Sequence, residues 1–438
     1  MVKILAKKSL WMMSLSIVLF TNNEVSAVSE RLTLKQALEI ALTHRPEIIS
    51  SEQTIEARKQ EVDQAFADYL PQVGGHAVRA YAGNNARAAA IGGITNPLIL
   101  KRASLGLSVY QMITDFGRTS DIVSAADAKV NAQIAKSFSV RDRVIFEVTR
   151  AYYNTLLAQQ ILKVAQETLA VRLTLFEKIQ LLAKEKLKAF FDVDIATQSV
   201  DEAKLLLLKA QNDLDDAQAE LSQALGYGEL IHFDLSHQLR IEPLTTKLAP
   251  LLEIAKKQNP DLESLRAEVS QRKFQYEAAV AEHYPTIGAI GYTGANPSRN
   301  KSELNSTYAV AGVTLDVPFY TGGRITATAK QMLFEMKALE MDLVAKENKL
   351  IRDVRVAWNN VQSSYQNIGV LKELFINNAK ALELAQASYE FGLISIVDLV
   401  QEHLRKTQAE ISYSTARYEY LINCALLNLL LGDGEKIC

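Results

Sequence analysis

Cysteine is almost absent from this chain, which has 438 residues and only two cysteines, Cys424 and Cys438. Two cysteines cannot form the dense disulfide framework on which many small exported domains depend. Cys424 lies in a helical pattern, where we expect a small buried core residue. Positive charge is not in excess either, since the formal net charge is −2. A nucleic-acid partner, which would require a basic surface, is therefore not expected.

Long apolar runs are also missing, apart from one near the N-terminus. Three lysines precede an apolar run at 10–20, and the small residues at 25–27 follow as a cleavage site. This order is typical of a secretory signal peptide, which we assign to residues 1–27. The run is too short to span a bilayer as a helix, and no other stretch approaches the roughly 20 apolar residues that a span requires. Neither cysteine lies at the cleavage site, so no N-terminal lipid anchor is predicted.

Glycine and proline are nearly absent from two long stretches of the chain. Neither residue occurs in 118–225, and 324–431 contains only Gly369 and Gly392. Apolar residues in these stretches recur at spacings of three and four, which indicates the seam of a coiled coil. Both stretches are therefore predicted to be helical along their length.

Helices of this length must turn back within the molecule. A helix from Arg118 to about Glu185 would already be on the order of 100 Å long, far beyond the usual globular range. Each stretch is predicted to fold back once, near 186–192 and near 391–395. The result is two long antiparallel helical hairpins.

The two helical stretches belong to two copies of one unit. A Gly-Arg pair precedes each stretch, at 117–118 and at 323–324, with an offset of 206 residues (323 − 117). Further upstream the offset is 214, as between Pro71 and Pro285 (285 − 71). The eight additional residues of the first copy (214 − 206) fall in a glycine-containing segment before residue 106, which we predict to be a long surface loop. The chain is thus a duplicated supersecondary unit.

The duplication predicts the organisation of the whole chain. After the signal peptide, the predicted segments are a first repeat at 28–229 (helices 33–70, strands 71–117, long helical hairpin 118–225), a linker or equatorial segment at 230–247, a second repeat at 248–432 (helices 248–284, strands 285–321, long helical hairpin 324–431) and a C-terminal tail at 433–438.

The segments before each Gly-Arg pair have a period of two instead of a helical period. Leu105, Leu107 and Val109 alternate with small or polar residues, and Val313 and Leu315 do the same in the second copy. This alternation suits a strand with lipid on one face and water on the other. Aromatic residues gather near the strand ends, as an interfacial girdle requires.

Two such hairpins supply four membrane strands, too few to close a barrel around a channel. An open sheet edge in hydrocarbon leaves backbone groups unpaired, at a cost of several kcal/mol each. The chain is therefore predicted to share a barrel with other copies of itself. Gly117, Gly322 and Gly323 are the predicted joints where a strand becomes a helix. Arg118 and Arg324 then lie either at the lipid–water boundary or solvated in the first helical turn.

The motifs of the second copy resemble those of the TolC-like outer-membrane efflux proteins. The resemblance covers about residues 30–432, and it rests on the duplicated plan and on the motifs VPFYTGGR (317–324), YEFG (389–392), IVD (396–398) and ARYEYLIN (416–423). It implies an α+β membrane protein that forms a homotrimer, with a twelve-stranded outer-membrane β-barrel continued by an α-helical barrel across the periplasm. It also implies two partners, a periplasmic adaptor protein and an inner-membrane pump of the ABC or proton-driven type.

A periplasmic gate near the helical tips is a further implication of the resemblance. Tyr389 and Asp398 match gate residues of the family, and Asp192 matches the family's aspartate in the first copy. Ile394 stands where relatives can carry an arginine, so a salt-bridged lock through this position is excluded. Gln401 stands where they can carry a second aspartate, so the ring of cation-binding acids is thinner.

Each gate residue also has a purely structural alternative. Ser395 and Asp398 fit a capping box, whereas the counterpart of the serine in the first copy is Ala189, and an acid remains there at Asp192. Tyr389 has the alternative of a packed helix residue. These alternatives remain open at the level of the sequence.

Lys186 lies opposite Gly392 at the two tips, so the first tip lacks the usual glycine. Both residues are predicted contacts for the adaptor.

Catalysis has little support in the sequence. The only tight histidine cluster, at 232–237, has no partners at metal-ligand spacing, and we predict a surface loop there. Gly288, Gly291 and Gly294 do not lead into a helix as a dinucleotide site requires. We therefore expect no catalytic residues, no metal site and no cofactor.

The leading prediction is a passive outer-membrane export duct, and the alternative is a periplasmic coiled-coil scaffold or adaptor. The sequence leaves the cargo open, as well as the choice between dedicated type I secretion and shared efflux. The missing lipid anchor favours secretion, by analogy with the family.

Overall fold

The structure is a computed structural model that describes residues 31–81, 88–90, 93–95, 101–236, 241–296 and 306–432. The predicted signal peptide, the C-terminal tail and Cys438 lie outside the described residues. The helices are α1 (Leu34–His44), α2 (Pro46–Phe66), α3 (Arg118–Lys184), α4 (Phe190–Leu225), α5 (Leu248–Gln258), α6 (Pro260–Ala281), α7 (Arg324–Glu390) and α8 (Ile396–Leu431). The strands are β1 (Gln72–Tyr81), β2 (Ala88–Ala90), β3 (Gly93–Thr95), β4 (Lys101–Thr114), β5 (Thr286–Asn296) and β6 (Ser306–Asp316).

The long helices have equal lengths in the two copies. Helices α3 and α7 each contain 67 residues, and α4 and α8 each contain 36. Each long helix packs against the shorter one that follows it, which confirms the predicted fold of duplicated helical hairpins. The first turn lies at 185–189, slightly before the predicted 186–192, and the second lies at 391–395. Within the part of the chain that the structure describes, no helix combines the length and the apolar composition that a membrane span needs.

The four longer strands form one antiparallel sheet in the order β1-β4-β5-β6. The register is the same in both hairpins, because Val73 pairs with Val109 in the first copy and Ile287 with Leu315 in the second, and these pairs are related by the offsets 214 and 206. Strands β4 and β5 join the two copies side by side. The outer strands β1 and β6 therefore form the two edges of the sheet.

The two faces of this sheet differ in polarity. Leu105, Leu107 and Val313 are exposed apolar side chains on one face. On the other face the hydroxyl of Tyr308 lies 3.4 Å from Nε2 of His76, and its ring covers Gly294, where a Cβ atom would come within 2.6 Å of the hydroxyl. An apolar face opposite a polar one is the arrangement of a strand between lipid and a water-filled lumen.

The insertion of the first copy differs from its prediction. Residues 82–87, 91–92 and 96–100 of the expected surface loop lie outside the described residues. Between them β2 and β3 form a short antiparallel hairpin, with Ala89 opposite Ile94.

The segment between the copies packs against the helices, where a surface loop had been predicted at 232–237. Leu235 is fully buried and forms a parallel bridge with Leu32. The hydroxyl of Tyr152 shares its one hydrogen between the carbonyls of Leu32 (3.0 Å) and Ser236 (2.9 Å). The predicted surface loop was wrong for Leu235, because its neighbours in the sequence are polar and gave no indication of its burial. His237 lies outside the described residues.

The second copy holds the same segment with an equivalent side chain. Trp358, which corresponds to Tyr152 at the offset of 206, donates from Nε1 to the carbonyl of Thr246 at 3.1 Å. Cys424 is buried in the adjoining core cluster with Tyr420 and Leu427, as expected for a small core residue. These hydrogen bonds hold the linker against the middle of both helical hairpins.

Candidate functional site

The strand-to-helix joints depend on backbone conformations that favour glycine. Gly117 (φ 103°) caps the start of α3, and Gly323 (φ 80°) caps the start of α7. The residues before them, Phe116 (φ 57°) and Gly322 (φ 64°), are also left-handed. No atom lies within 4 Å of a Cβ built on any of the three glycines, so conformation alone, and not crowding, selects glycine there.

The arginines of the two joints meet at one carboxylate. Nη2 of Arg118 lies 3.3 Å from Oε1 of Glu282, and Nη1 of Arg324 lies 3.8 Å from Oε2 of the same side chain. The predictions for these arginines considered lipid headgroups and solvent but missed Glu282. The repeat could have indicated this acidic residue, because each copy has an acid three residues before its repeat-related proline, at Asp68 and at Glu282.

The two helical tips have the same backbone turn with different residues. Lys186 (φ 56°) and Gly392 (φ 74°) both adopt the left-handed conformation. At the first tip the amide of Lys186 donates to the carbonyl of Ala183 and that of Leu187 to Leu182, and the second tip repeats this pattern from Gly392 and Leu393. This pair of bonds is a Schellman motif, in which glycine usually takes the left-handed position. The first tip carries an exposed lysine there instead.

Asp398 completes the N-terminal cap of α8. Its backbone N–H donates to Oγ of Ser395, and its carboxylate accepts from the backbone N–H (3.0 Å) and hydroxyl (2.6 Å) of Ser395. These hydrogen bonds hold the pKa of the Asp398 carboxyl below its usual range. At the first tip Ala189 provides no side-chain cap. Asp192 therefore has no equivalent capping role, although it occupies the same helical position.

Tyr389 is packed inside the tip and not displayed on its surface. It is buried in a cluster with Ile179 and Leu399, and the ammonium of Lys188 lies 4.3 Å from the centre of its ring. Its hydroxyl has no hydrogen-bond partner among the described residues. Burial, and then the negative charge of Asp192, raise the pKa of this hydroxyl. The structure thus brings Tyr389 and Asp192 together electrostatically, while Asp398 is exposed at the start of α8.

The structure also places Ile394 and Gln401, the two positions at which the resemblance led us to expect a departure from the family's gate. Ile394 packs against the tip cluster, and Gln401 is exposed. Ile394 therefore adds apolar contacts to the turn.

A buried cluster that contains an arginine and a histidine, above the tip, was missed from the sequence. Arg172 is buried and donates from Nη1 to Oγ of Ser199 at 2.7 Å. The nearby His403 is also buried, and burial, with the charges of Arg172 and Lys406, lowers its pKa to about 4. The spacing could have indicated the burial of Arg172, because this residue lies seven positions from a buried residue on either side. That spacing places it in the seam between the two helices of the hairpin.

Both tips expose large apolar side chains. Leu187, Phe190 and Phe191 are exposed at the first tip, and Phe391 and Leu393 at the second. Exposed apolar side chains grouped in this way are a feature of surfaces that bind proteins, membranes or ligands. No cluster of three or more His, Cys, Asp or Glu side chains suited to a metal ion occurs among the described residues.

Comparisons with known proteins agree with this architecture. The family model described as "Outer membrane efflux protein" matches residues 37–227 and 251–433. The outer membrane protein TolC of Escherichia coli is 24% identical over 421 residues, covering 93% of this chain and 83% of that protein. The alkaline protease secretion protein AprF of Pseudomonas aeruginosa is 26% identical over 304 residues, covering 67% of this chain and 62% of that protein.

Among solved structures, the CmeC outer membrane channel of Campylobacter jejuni has the same fold. It superposes with a TM-score of 0.80 at 15% identity, covering 91% of this chain and 85% of that one. The family match decides between the two functional predictions, because it describes an outer-membrane efflux protein and not a periplasmic adaptor. The chain therefore belongs to the outer membrane efflux protein family, and it is an export duct of the outer membrane that extends into the periplasm.

Proposed function

We propose that three copies of the chain form one passive channel, with a twelve-stranded β-barrel continued by an α-helical barrel. The observation that carries this proposal is the sheet, whose edge strands β1 and β6 lie on opposite sides of a four-stranded sheet with an apolar face. Such edges must be paired in a bilayer. Relatives that share the fold support the assembly. Each repeat, 28–229 and 248–432, contributes one hairpin of strands and one of helices to the wall.

The helical tips are proposed as the periplasmic gate and the contact for an adaptor protein. Their exposed phenylalanines and leucines would be covered by the adaptor, and the turns at Lys186 and Gly392 would lie within the contact. Asp192 and Asp398 would place negative charge around the constriction, and the buried Tyr389 would hold the tip helices together. An inner-membrane pump would supply the energy and select the cargo, and the duct itself would perform no chemistry.

The mass of the detergent-solubilised protein tests the assembly. Native mass spectrometry is expected to give three chains per particle. A particle of one chain would refute the proposal, because a single four-stranded sheet cannot close.

Planar-bilayer recordings test the gate. Asp192→Asn and Asp398→Asn each remove one negative charge per chain, so both are expected to lower cation preference and weaken block by divalent cations. Asp201→Asn is the matched control, because it removes the same charge from an exposed position farther along α4. Asp398→Glu keeps the charge and is expected to retain selectivity. If both asparagine variants conduct like the control, the two acids do not line the constriction.

A further inference from the structure

Arg172 brings a positive charge into the packed helices without a counter-charge. Its exposed fraction is only 5%. Among the described residues it donates one hydrogen bond, from Nη1 to Oγ of Ser199, and it forms no ion pair. The carboxylate whose charge acts on it belongs to Glu202, which is exposed on α4. A guanidinium has five N–H donors, and a buried charge that lacks a partner is strongly destabilising, so Arg172 needs further acceptors and a negative charge.

The residue opposite Arg172, across the seam between the two hairpins, is His403. Helices α3 and α8 run antiparallel along this seam, where the hydroxyls of Thr168 and Thr407 lie 3.4 Å apart. One turn closer to the tip on each helix, this register places Arg172 opposite His403. Burial, and then the charges of Arg172 and Lys406, lower the pKa of His403 to about 4, as a nearby guanidinium requires.

The imidazole of His403 is a second buried polar group without a partner. Its exposed fraction is 6%, and it makes no hydrogen bond with any residue that the structure describes. It lines a cavity of about 360 Å³ between α3, α7 and α8. A neutral imidazole has one N–H donor and one acceptor nitrogen, so both remain available to a ligand at this seam.

The second copy shows that the hairpin fold does not require a cation at the position of Arg172. Its equivalent there is Asn378 (378 − 172 = 206), whose amide donates to the carbonyl of Arg405 at 3.3 Å. Arg405 is in turn the equivalent of Ser199 (405 − 199 = 206). A neutral side chain thus links the two helices in the second copy. The arginine of the first copy makes the same link and adds a charge that the link itself does not need.

The charge of this cluster is a single positive one. The other cation near it, Lys406, is already paired with Glu410 on the next turn of α8. His403 is neutral near neutral pH because of its lowered pKa. Only the charge of Arg172 remains uncompensated, and one monovalent anion would neutralise it.

We propose that a small monovalent inorganic anion, with the size and charge of chloride, binds between Arg172 and His403 and joins the two hairpins above their tips. The guanidinium supplies the charge, and the imidazole N–H supplies a further hydrogen bond. Because Arg172 belongs to the first hairpin and His403 to the second, the anion resists their separation next to the tip cluster of Ile179 and Tyr389. The site lies within one chain, so its failure would leave the proposed assembly and gate untouched.

Thermal unfolding of the detergent-solubilised, full-length protein tests the site, with chloride as the probe. Sodium gluconate is replaced stepwise by sodium chloride at constant ionic strength and neutral pH, which holds general salt effects constant. We expect the thermal midpoint to rise and then to saturate, because an ion that binds only the folded state stabilises it by mass action. Arg172→Met should abolish this response, whatever its own midpoint. Arg141→Met changes an exposed arginine of the same helix and should keep the response.

Substitutions of the histidine separate its hydrogen bond from its packing. His403→Leu removes the N–H donor and should raise the half-saturating chloride concentration on the order of tenfold. His403→Gln keeps an N–H donor and should respond close to the unmodified protein. Arg172→Lys keeps the charge and should retain a weakened response. If Arg172→Met responds to chloride as the unmodified protein does, the site is refuted.

Bromide locates the ion without any substitution, so this arm stands even if Arg172→Met fails to fold. Anomalous diffraction from crystals of the unmodified protein soaked in bromide should show a peak between the guanidinium and the imidazole. No peak there, at a bromide concentration that saturates the thermal response, would overturn the proposal. Sulfate in place of chloride tests size and charge: equal stabilisation that depends on Arg172 would overturn the assignment to a monovalent anion.

Discussion

Replacing Lys186 by glycine should rigidify the first helical tip. Lys186 occupies the left-handed position of the turn, and its exposed side chain makes no hydrogen bond or ion pair with another described residue. The left-handed conformation costs a residue with a Cβ about 1–2 kcal/mol. Glycine removes this cost but adds about 0.4–1 kcal/mol of unfolded-state entropy. The net gain for Lys186→Gly is therefore about 0.5–1 kcal/mol in the free energy of opening the turn.

The second tip provides the matched comparison. Gly392 has the same turn with φ 74°, and no atom lies within 4 Å of a Cβ built there. By the same balance of left-handed strain and unfolded-state entropy, Gly392→Ala should cost about 0.5–1 kcal/mol. Since 1.4 kcal/mol corresponds to a factor of ten, the two substitutions should change local opening by about twofold to fivefold in opposite directions.

Hydrogen–deuterium exchange of peptides that span the two tips measures these openings. Exchange should slow at 181–190 in Lys186→Gly and quicken at 387–396 in Gly392→Ala, with the other tip unchanged in each variant. Faster exchange at the first tip in Lys186→Gly would refute the reasoning, because it would mean that the lysine side chain stabilises the turn more than its backbone strains it.

Two further substitutions test the caps and the buried cluster. Ser395→Ala removes the hydroxyl that caps α8, so the first turn of α8 should lose about 1 kcal/mol of stability and its amides should exchange faster. The start of α4, which has no side-chain cap, should exchange as in the unmodified protein. If the first turn of α8 exchanges at the same rate with and without Ser395, the cap is not needed. Burial lowers the pKa of His403 from 6.5 to about 4, so its neutral form stabilises the tip fully above pH 6.5, and this stability is lost as the pH falls toward 4. The thermal midpoint should therefore decrease as the pH is lowered from 6.5 to 4, and His403→Leu should reduce this decrease. An unchanged pH dependence of the midpoint in the variant would show that other groups cause it.

The elements with strong periodicity could be predicted from the sequence, because one physical pattern determines each of them. Long stretches without glycine or proline leave the chain no place to break, so the helical hairpins followed directly. The alternation at Leu105, Leu107 and Val109 likewise predicted an exposed apolar face, since a strand places alternate side chains on one side. The repeat offsets then carried each prediction from one copy to the other.

Contacts between distant segments could not be predicted in this way. Leu235 is surrounded by polar residues in the sequence, and only the parallel bridge to Leu32 buries it. Glu282 and Arg172 act through partners on other helices, whose relative rotation the periodicity does not determine. The gate roles of Asp192, Tyr389 and Asp398 depend on how several chains converge, so they remain predictions.

The equal lengths of the paired helices restrict how this protein can change in size. With 67 residues in both long helices and 36 in both short ones, the two turns end at the same level. Deleting one heptad from a single hairpin would shorten that arm by about 10 Å and leave the rim uneven. A duct of another length therefore requires matching insertions or deletions at four separate places in the gene, a coordinated event that point mutation cannot supply.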